Sequence, residues 1–420
     1  MFRILIIFVM VLPLFSQNLA NIIKLAYQND LVKIKEQEIL KSSLKKEQLD
    51  SQYLPQLTLG GGYERRDKDN FLISPKEARA VYARLEYLLF DGFKKEARRE
   101  ILDSENQKDF LKSDEFKNEL AFLLTTLYFN AVLTDNLINA KISQKEYLNN
   151  ELKRLNALKN AGLASNDELS LILAKSHLAQ SELLSLKQDR LKILNEISLY
   201  ANENLDSLNV SSLKMPDFDN LAQNYELKGL EIDIKKSQSA IDEAKSSHYP
   251  RIFLSNKFSV YKNRFDDINE PFRSYAGQFF NQKRSEQNEF MLGFEWLIFD
   301  FFATSKGVQI AQISQNQAIL NLNHKKRENE IELKNLQNEI EISRQKIAAN
   351  ELFVKAADTA LSSISKKYHA GLVGYSEFLL ALLNDFDAKS ALAFSQSDFE
   401  IKKARYYLKS GIEILKRIDE

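Results

Sequence analysis

The sequence predicts a mainly α-helical chain that carries a membrane β-barrel portion and is built as a tandem structural repeat. Three observations predict this. Two stretches of about 69 residues run with almost no Gly or Pro and with apolar residues at helical spacing. Four segments of about ten residues alternate apolar and polar side chains with period two. The whole pattern occurs twice, in one register.

Composition narrows the class. Of 420 residues, 12 are Gly and 6 Pro, too few for many compact turn-rich units. The 58 Lys+Arg balance 58 Asp+Glu, which gives no electrostatic case for nucleic acid. The absence of Cys excludes disulfide frameworks, cysteine metal sites, thiol catalysis and an N-terminal lipidated Cys. Charged residues make up 28% and mean hydropathy is −0.36, which excludes a multi-span helical membrane protein.

At the N-terminus, Arg3 precedes an apolar run from Ile4 to Phe15 broken only by Pro13. That run is short for a bilayer and suited to a signal-peptide core. Leu14 and Ser16 fit the cleavage positions, so 1–16 reads as a signal peptide and Gln17 as the mature start; cleavage after Ala20 is the second choice. Beyond it, no apolar run reads as long enough to span as a helix.

The first repeat is expected over 17–215 and the second over 216–420. Glu86–Asp91 (Glu-Tyr-Leu-Leu-Phe-Asp) resembles Glu295–Asp300 (Glu-Trp-Leu-Ile-Phe-Asp), and Ala161-Gly162-Leu163 matches Ala370-Gly371-Leu372. Both pairs share the offset between Gly162 and Gly371, 209 positions, and the same offset pairs Leu111 with Leu320, Leu124 with Leu333 and Leu127 with Leu336. Within each repeat a helix is expected first (21–53 and 219–247), then a strand pair. A long helix follows (between Gly92 and Gly162, and over 301–369), then a return helix (167–200 and 375–417). At 1.5 Å per residue a long helix reaches about 105 Å, and a return helix plus the next short helix gives about the same. An irregular patch near 202–216 separates the halves.

The strands are expected at about 56–64, 81–90, 251–261 and 290–299. Val81, Ala83, Leu85, Tyr87 and Leu89 fall on one face of 81–90, with Tyr82, Arg84, Glu86 and Leu88 on the other. Phe290, Leu292, Phe294, Trp296 and Ile298 repeat the apolar face, opposite Met291, Gly293, Glu295 and Leu297. Lipid outside and water inside produce this pattern, which makes Arg84, Glu86 and Glu295 lumen-facing. Tyr87, Phe90, Trp296 and Phe299 stand at the helix-proximal strand ends, where an aromatic girdle belongs. Four strands do not close a barrel, and open edges are forbidden in lipid, so the pattern demands an oligomer. Gly60-Gly61-Gly62 reads as room for bending or close packing within a strand.

These features together resemble the TolC-like outer membrane factor (outer membrane efflux protein) family. The carriers are the strand entries Leu54-Pro55 and Tyr249-Pro250, the strand exits Leu88–Gly92 and Leu297–Asp300, and the two Gly-Leu turns. The resemblance implies a homotrimer with a twelve-stranded barrel in the outer membrane and an α-helical barrel through the periplasm. It implies a periplasmic adaptor and an inner-membrane transporter of RND or ABC type as partners, no cofactor, and passive export of drugs or other cargo by efflux or type I secretion. It places the adaptor-docking tip at Ala161, Gly162, Leu163, Ala164 and Ala370, Gly371, Leu372, Val373. It makes Glu168, Tyr368 and Glu377 periplasmic gate residues, with Tyr368 bonding across to the first repeat's acid. Val373 stands where the family pattern has an arginine and Leu380 where it has a second acid ring, which suggests closure by apolar contact more than by salt bridges.

A ring of three Glu377 carboxylates would repel unless protonated, hydrated or cation-bound; the plainer reading is two helix-first-turn acids favoured by the helix dipole. No zinc-protease, phosphate-loop or nucleophile-elbow motif is present, and His177, His248, His324 and His369 lack metal-ligand spacing, so neither an enzyme nor a metal site is expected. The reading from another class is a non-conducting periplasmic or surface coiled-coil scaffold or adhesin.

Overall fold

The computed structural model describes residues 18–68, 75–162, 165–218, 224–265 and 285–419. The signal segment 1–16, tip residues Leu163 and Ala164, and the second repeat's opening at 221–223 lie outside them.

Helices α1 (Leu19–Ala26) and α2 (Asp30–Gln52) lead to strands β1 (Gln56–Arg65) and β2 (Glu77–Phe90). Then come α3 (Lys94–Asn160), α4 (Asn166–Ala201) and a short strand β3 (Ser212–Leu213). The second repeat follows with α5 (Tyr225–Lys245), β4 (Arg251–Arg264), β5 (Ser285–Glu295), α6 (Ala303–His369) and α7 (Tyr375–Ser410), and the chain closes with β6 (Ile418–Asp419). The two long helices are both 67 residues, about 100 Å each. Their starts are fixed by the aspartates of the repeated Phe-Asp pair. Asp91 accepts from the Lys94 and Lys95 amides at 2.9 and 2.8 Å, and Asp300 accepts from the Thr304 amide at 2.7 Å. Their ends are fixed by Gly162 and Gly371, with φ of +76° and +72°.

Two helices differ from expectation. The first breaks at Tyr27–Asn29 instead of running through 21–53. The Asn29 side chain accepts from the Leu31 amide at 3.0 Å and donates to the Tyr200 carbonyl at 3.0 Å, so it satisfies backbone groups that a continuous helix would pair itself. The last helix stops at Ser410, seven residues early, because Gly411 takes φ +73° and the Ile412 amide bonds back to Tyr407 O at 2.9 Å. The freed tail returns as β6, which pairs antiparallel with β3 (Leu213 opposite Ile418). The supposedly irregular patch is thus partly ordered.

The chain divides into two compact units, and neither is a repeat. One comprises Met1–Glu36, Leu111–Lys228 and His324–Glu420; the other comprises Gln37–Phe110 and Gly229–Asn323. Each draws on both repeats. In the first unit, Leu19, Ile23, Leu124, Tyr128, Ile197, Ile340 and Tyr406 form the main apolar core. A stretch of α3 is long and apolar enough to cross a membrane by length and composition, contrary to the sequence expectation; half of it is buried, Leu120, Leu124 and Tyr128 among the buried residues of that helix. A buried polar cluster ties α7 to β3: Lys403 Nζ donates to Leu213 O at 2.5 Å, and Glu400 accepts from the Leu213 amide at 2.8 Å. Burial pushes the Glu400 carboxyl up, with Lys403 opposing the shift.

In the second unit the four long strands form one antiparallel sheet in the order β1-β2-β4-β5. Charged pairs link its helical segments: Arg98 with Glu243 at 2.6 Å, Lys236 with Glu105 at 2.6 Å, and Lys46 with Asp103 at 2.5 Å.

Candidate functional site

The sheet has two chemically distinct faces. Register places Leu57 opposite Leu85 and Leu85 opposite Asn256, which faces Phe290; Gly61, Val81 and Val260 form a further row on the same face. Exposure of these apolar side chains is high, 76% for Leu59, 66% for Val81 and 76% for Phe294. A band from Ile252 to Val260 spans about 27 Å of strand, or about 21 Å of height at a 40° tilt. On the opposite face Arg84 stands between Thr58 and Lys257, Glu86 between Gln56 and Ser255, and Glu295 opposite Arg251. Arg84 pairs with Glu86 at 3.5 Å, and Arg84 and Lys257 both lie over the Tyr82 ring, at 5.4 and 5.1 Å. That ring lies so close to Gly60 that a Cβ there would meet it at 2.5 Å, which explains the glycine.

The girdle candidates separate. Tyr87 lies in the sheet opposite Leu254, and Phe90 pairs with Ile252 after a register shift and packs edge-on against Phe93 at 5.2 Å. Trp296 and Phe299 lie beyond β5, which ends at Glu295 and not near 299. Its partner β4 begins at Arg251, directly after Pro250, so among the described residues those past Glu295 have no strand to pair with. Trp296 is half exposed and its indole donates to His248 O at 3.0 Å. Sequence reasoning missed Phe93, Phe301 and Phe302, which are exposed at the same strand-to-helix junctions with φ of +67°, +51° and +65°. Bulky residues rarely take that conformation, at a cost of about 1–2 kcal/mol each. One signal was available: Phe301 occupies the repeat position of Gly92.

The second candidate site lies where α3, α4, α6 and α7 meet near the turns, around an apolar cluster that includes Leu148, Leu155, Ile172, Leu361 and Phe378. Ala161, Gly162, Ala370, Gly371 and Leu372 are exposed, and an added Cβ at Gly162 or Gly371 would meet nothing within 4 Å. Val373 instead packs against the apolar cluster. Tyr368 is buried, and its hydroxyl donates to Glu168 Oε1 at 2.5 Å, from the second repeat to the first. Burial, then the bond to Glu168, raises the Tyr368 phenol well above its ordinary value. Glu168 stays on the first turn of α4, where Ser165 caps its amide at 3.1 Å. Glu377 sits exposed on the first turn of α7 and takes no part in this cluster.

The structure adds four residues to this contact. Arg154 lies over one face of the Tyr368 ring at 4.8 Å, and Phe378 stacks on it at 5.0 Å and 12°. Arg154 is fixed by Glu151 through Nε at 2.9 Å and a terminal nitrogen at 2.8 Å, and Glu151, 2% exposed, also meets His369 Nε2 at 3.3 Å. The bond to Glu151 raises the Arg154 guanidinium further above its ordinary value. Among the described residues no group of three His, Asp or Glu converges on a metal position.

Comparison with known proteins follows the same lines. Residues 219–405 match the model of the family described as outer membrane efflux protein. No curated protein matches the chain by sequence. Solved structures share the fold across nearly the whole chain. CusC matches with TM-score 0.79 at 16% identity, covering 94% of this chain and 92% of its own. VceC of Vibrio cholerae matches with TM-score 0.77 at 14% identity, covering 94% and 96%. The Campylobacter jejuni outer membrane channel CmeC matches with TM-score 0.77 at 14% identity, covering 94% and 86%. At such identities the likeness is one of fold.

Proposed function

We propose that this chain, whose residues 219–405 match the outer membrane efflux protein model and whose fold is shared with outer-membrane channels, is one protomer of a homotrimeric outer-membrane channel, a passive exit duct and not an enzyme. The observation that carries this reading is the sheet. It has one exposed apolar face about 21 Å tall, close to the roughly 25 Å apolar band of outer-membrane barrels, one charged face, and, among the described residues, no further strand beside the outer edges of β1 and β5. Lipid tolerates no such edges, so β5 of one copy pairs with β1 of the next, and three copies close twelve strands.

The polar face of the sheet, with Arg84, Glu86 and Glu295, lines the lumen. Tyr87, Phe90, Trp296 and Phe299 stand at the membrane interface. The long helices extend into the periplasm. There the exposed turns at Ala161–Gly162 and Ala370–Leu372 receive a periplasmic adaptor, which couples the duct to an inner-membrane transporter of RND or ABC type. Leu163 and Ala164 belong to the same docking turn by sequence. Glu168, Tyr368 and Glu377 act at the gate, and cargo moves outward by efflux or type I secretion.

Outer-membrane fractions should yield heat-stable trimers that carry ion current in planar bilayers. A soluble monomer that carries none overturns the reading and favours a scaffold.

A further inference from the structure

We propose that Arg154, held by Glu151, is the positioning cation of the tip contact between Tyr368 and Glu168. The inference rests on the channel reading and concerns how its closed end is held.

Tyr368 has three anchors. Phe378 from α7 stacks on its ring, the Arg154 guanidinium from α3 lies over the ring, and the hydroxyl donates to Glu168 on α4. A guanidinium over a phenol ring attracts it through the ring's quadrupole, more strongly where water is excluded. Arg154 would otherwise sample many rotamers. The nearly inaccessible Glu151 carboxylate takes two of its nitrogens and fixes the plane of the guanidinium. Glu151 in turn meets His369, the neighbour of Tyr368 on α6, so the first repeat's helix grips the second repeat's helix at two successive residues.

This arrangement is not doubled by the repeat. At the offset of 209 positions, Glu151 and Arg154 correspond to Ala360 and Ser363, and Tyr368 and His369 to Lys159 and Asn160. Each protomer therefore has one clamp, and a trimer three. The clamp also supplies charge at a tip where Val373 contributes only apolar packing. Closure there combines an apolar cluster with one ion pair whose carboxylate is buried and whose guanidinium is partly exposed.

The test is single-channel recording of full-length trimers in planar bilayers, with trimer heat stability measured alongside. Arg154→Ala should raise the open fraction about tenfold, the scale of one lost charged hydrogen bond. Tyr368→Phe should do the same, and the double variant should exceed neither, because both break one contact. Arg154→Lys keeps the charge but not the planar fork, and should recover only part of the closure. If Arg154→Ala does not assemble, the Glu151→Gln/Arg154→Gln pair leaves no buried unpaired charge and should show the same opening. An unchanged open fraction in conducting Arg154 variants, or effects that multiply with Tyr368→Phe, overturns the clamp. A wild-type trimer that carries no current overturns the channel reading itself, and the clamp with it.

Discussion

A charge on the apolar face of the sheet separates a membrane wall from a soluble one. Leu85 pairs with Leu57 on one side and Asn256 on the other, and Asn256 is the midpoint of the band from Ile252 to Val260. Leu85 therefore sits about 14 Å of strand from either margin, at the depth where a charge costs most. Leu85→Lys should cost about 2–4 kcal/mol per copy, or about 6–12 kcal/mol per trimer. Ser255→Lys is the matched control. Ser255 lies on the opposite face, directly across from Glu86, so its lysine meets water and an opposite charge. Measured as trimer yield in the outer membrane and as the temperature at which trimers dissociate, the first variant should fail or melt far lower, and the second should resemble wild type. Equal behaviour of the two would refute the assignment of the faces and remove the barrel.

The remaining predictions concern the junction and the tip. Gly92→Ala should sharply reduce trimer assembly, because its Cβ would lie 2.3 Å from Ser246 O at φ +76°; immunoblots of membrane trimers report this. Gly371→Arg should leave trimers intact, since the site is open and only the left-handed backbone costs about 1–2 kcal/mol, but should abolish export in a drug-susceptibility assay by blocking adaptor docking. Glu377→Ala should raise conductance or weaken divalent block, and no change in either removes Glu377 from the gate. Tyr368 should remain protonated well past pH 10 in a phenolate absorbance titration. Its folded value is raised, so the stability it contributes is complete below the ordinary tyrosine range and is lost as pH rises from that range through the raised folded value.

Much of the architecture was legible because it is written in local periodicities. Spacings of three and four between Leu120, Leu124 and Leu127, and of two between Val81, Ala83 and Leu85, fix helix and strand wherever they recur. The Gly-Leu turns and the Phe-Asp pairs mark ends because backbone conformation and capping are decided within four residues. The Tyr368–Glu168 pairing came from family resemblance, since no spacing rule relates residues 200 positions apart.

What the sequence alone determined is the set of parts: two copies of long helix, return helix and strand pair, with their apolar faces and their ends. Tertiary structure decided how the copies combine. The compact units cross the repeats, Gly411 turns the tail into a strand beside Leu213, β5 stops where β4 offers no partner, and Arg154 meets Tyr368. Each of these depends on which groups far apart in the chain can bury surface or share a hydrogen bond, and linear order carries no record of that.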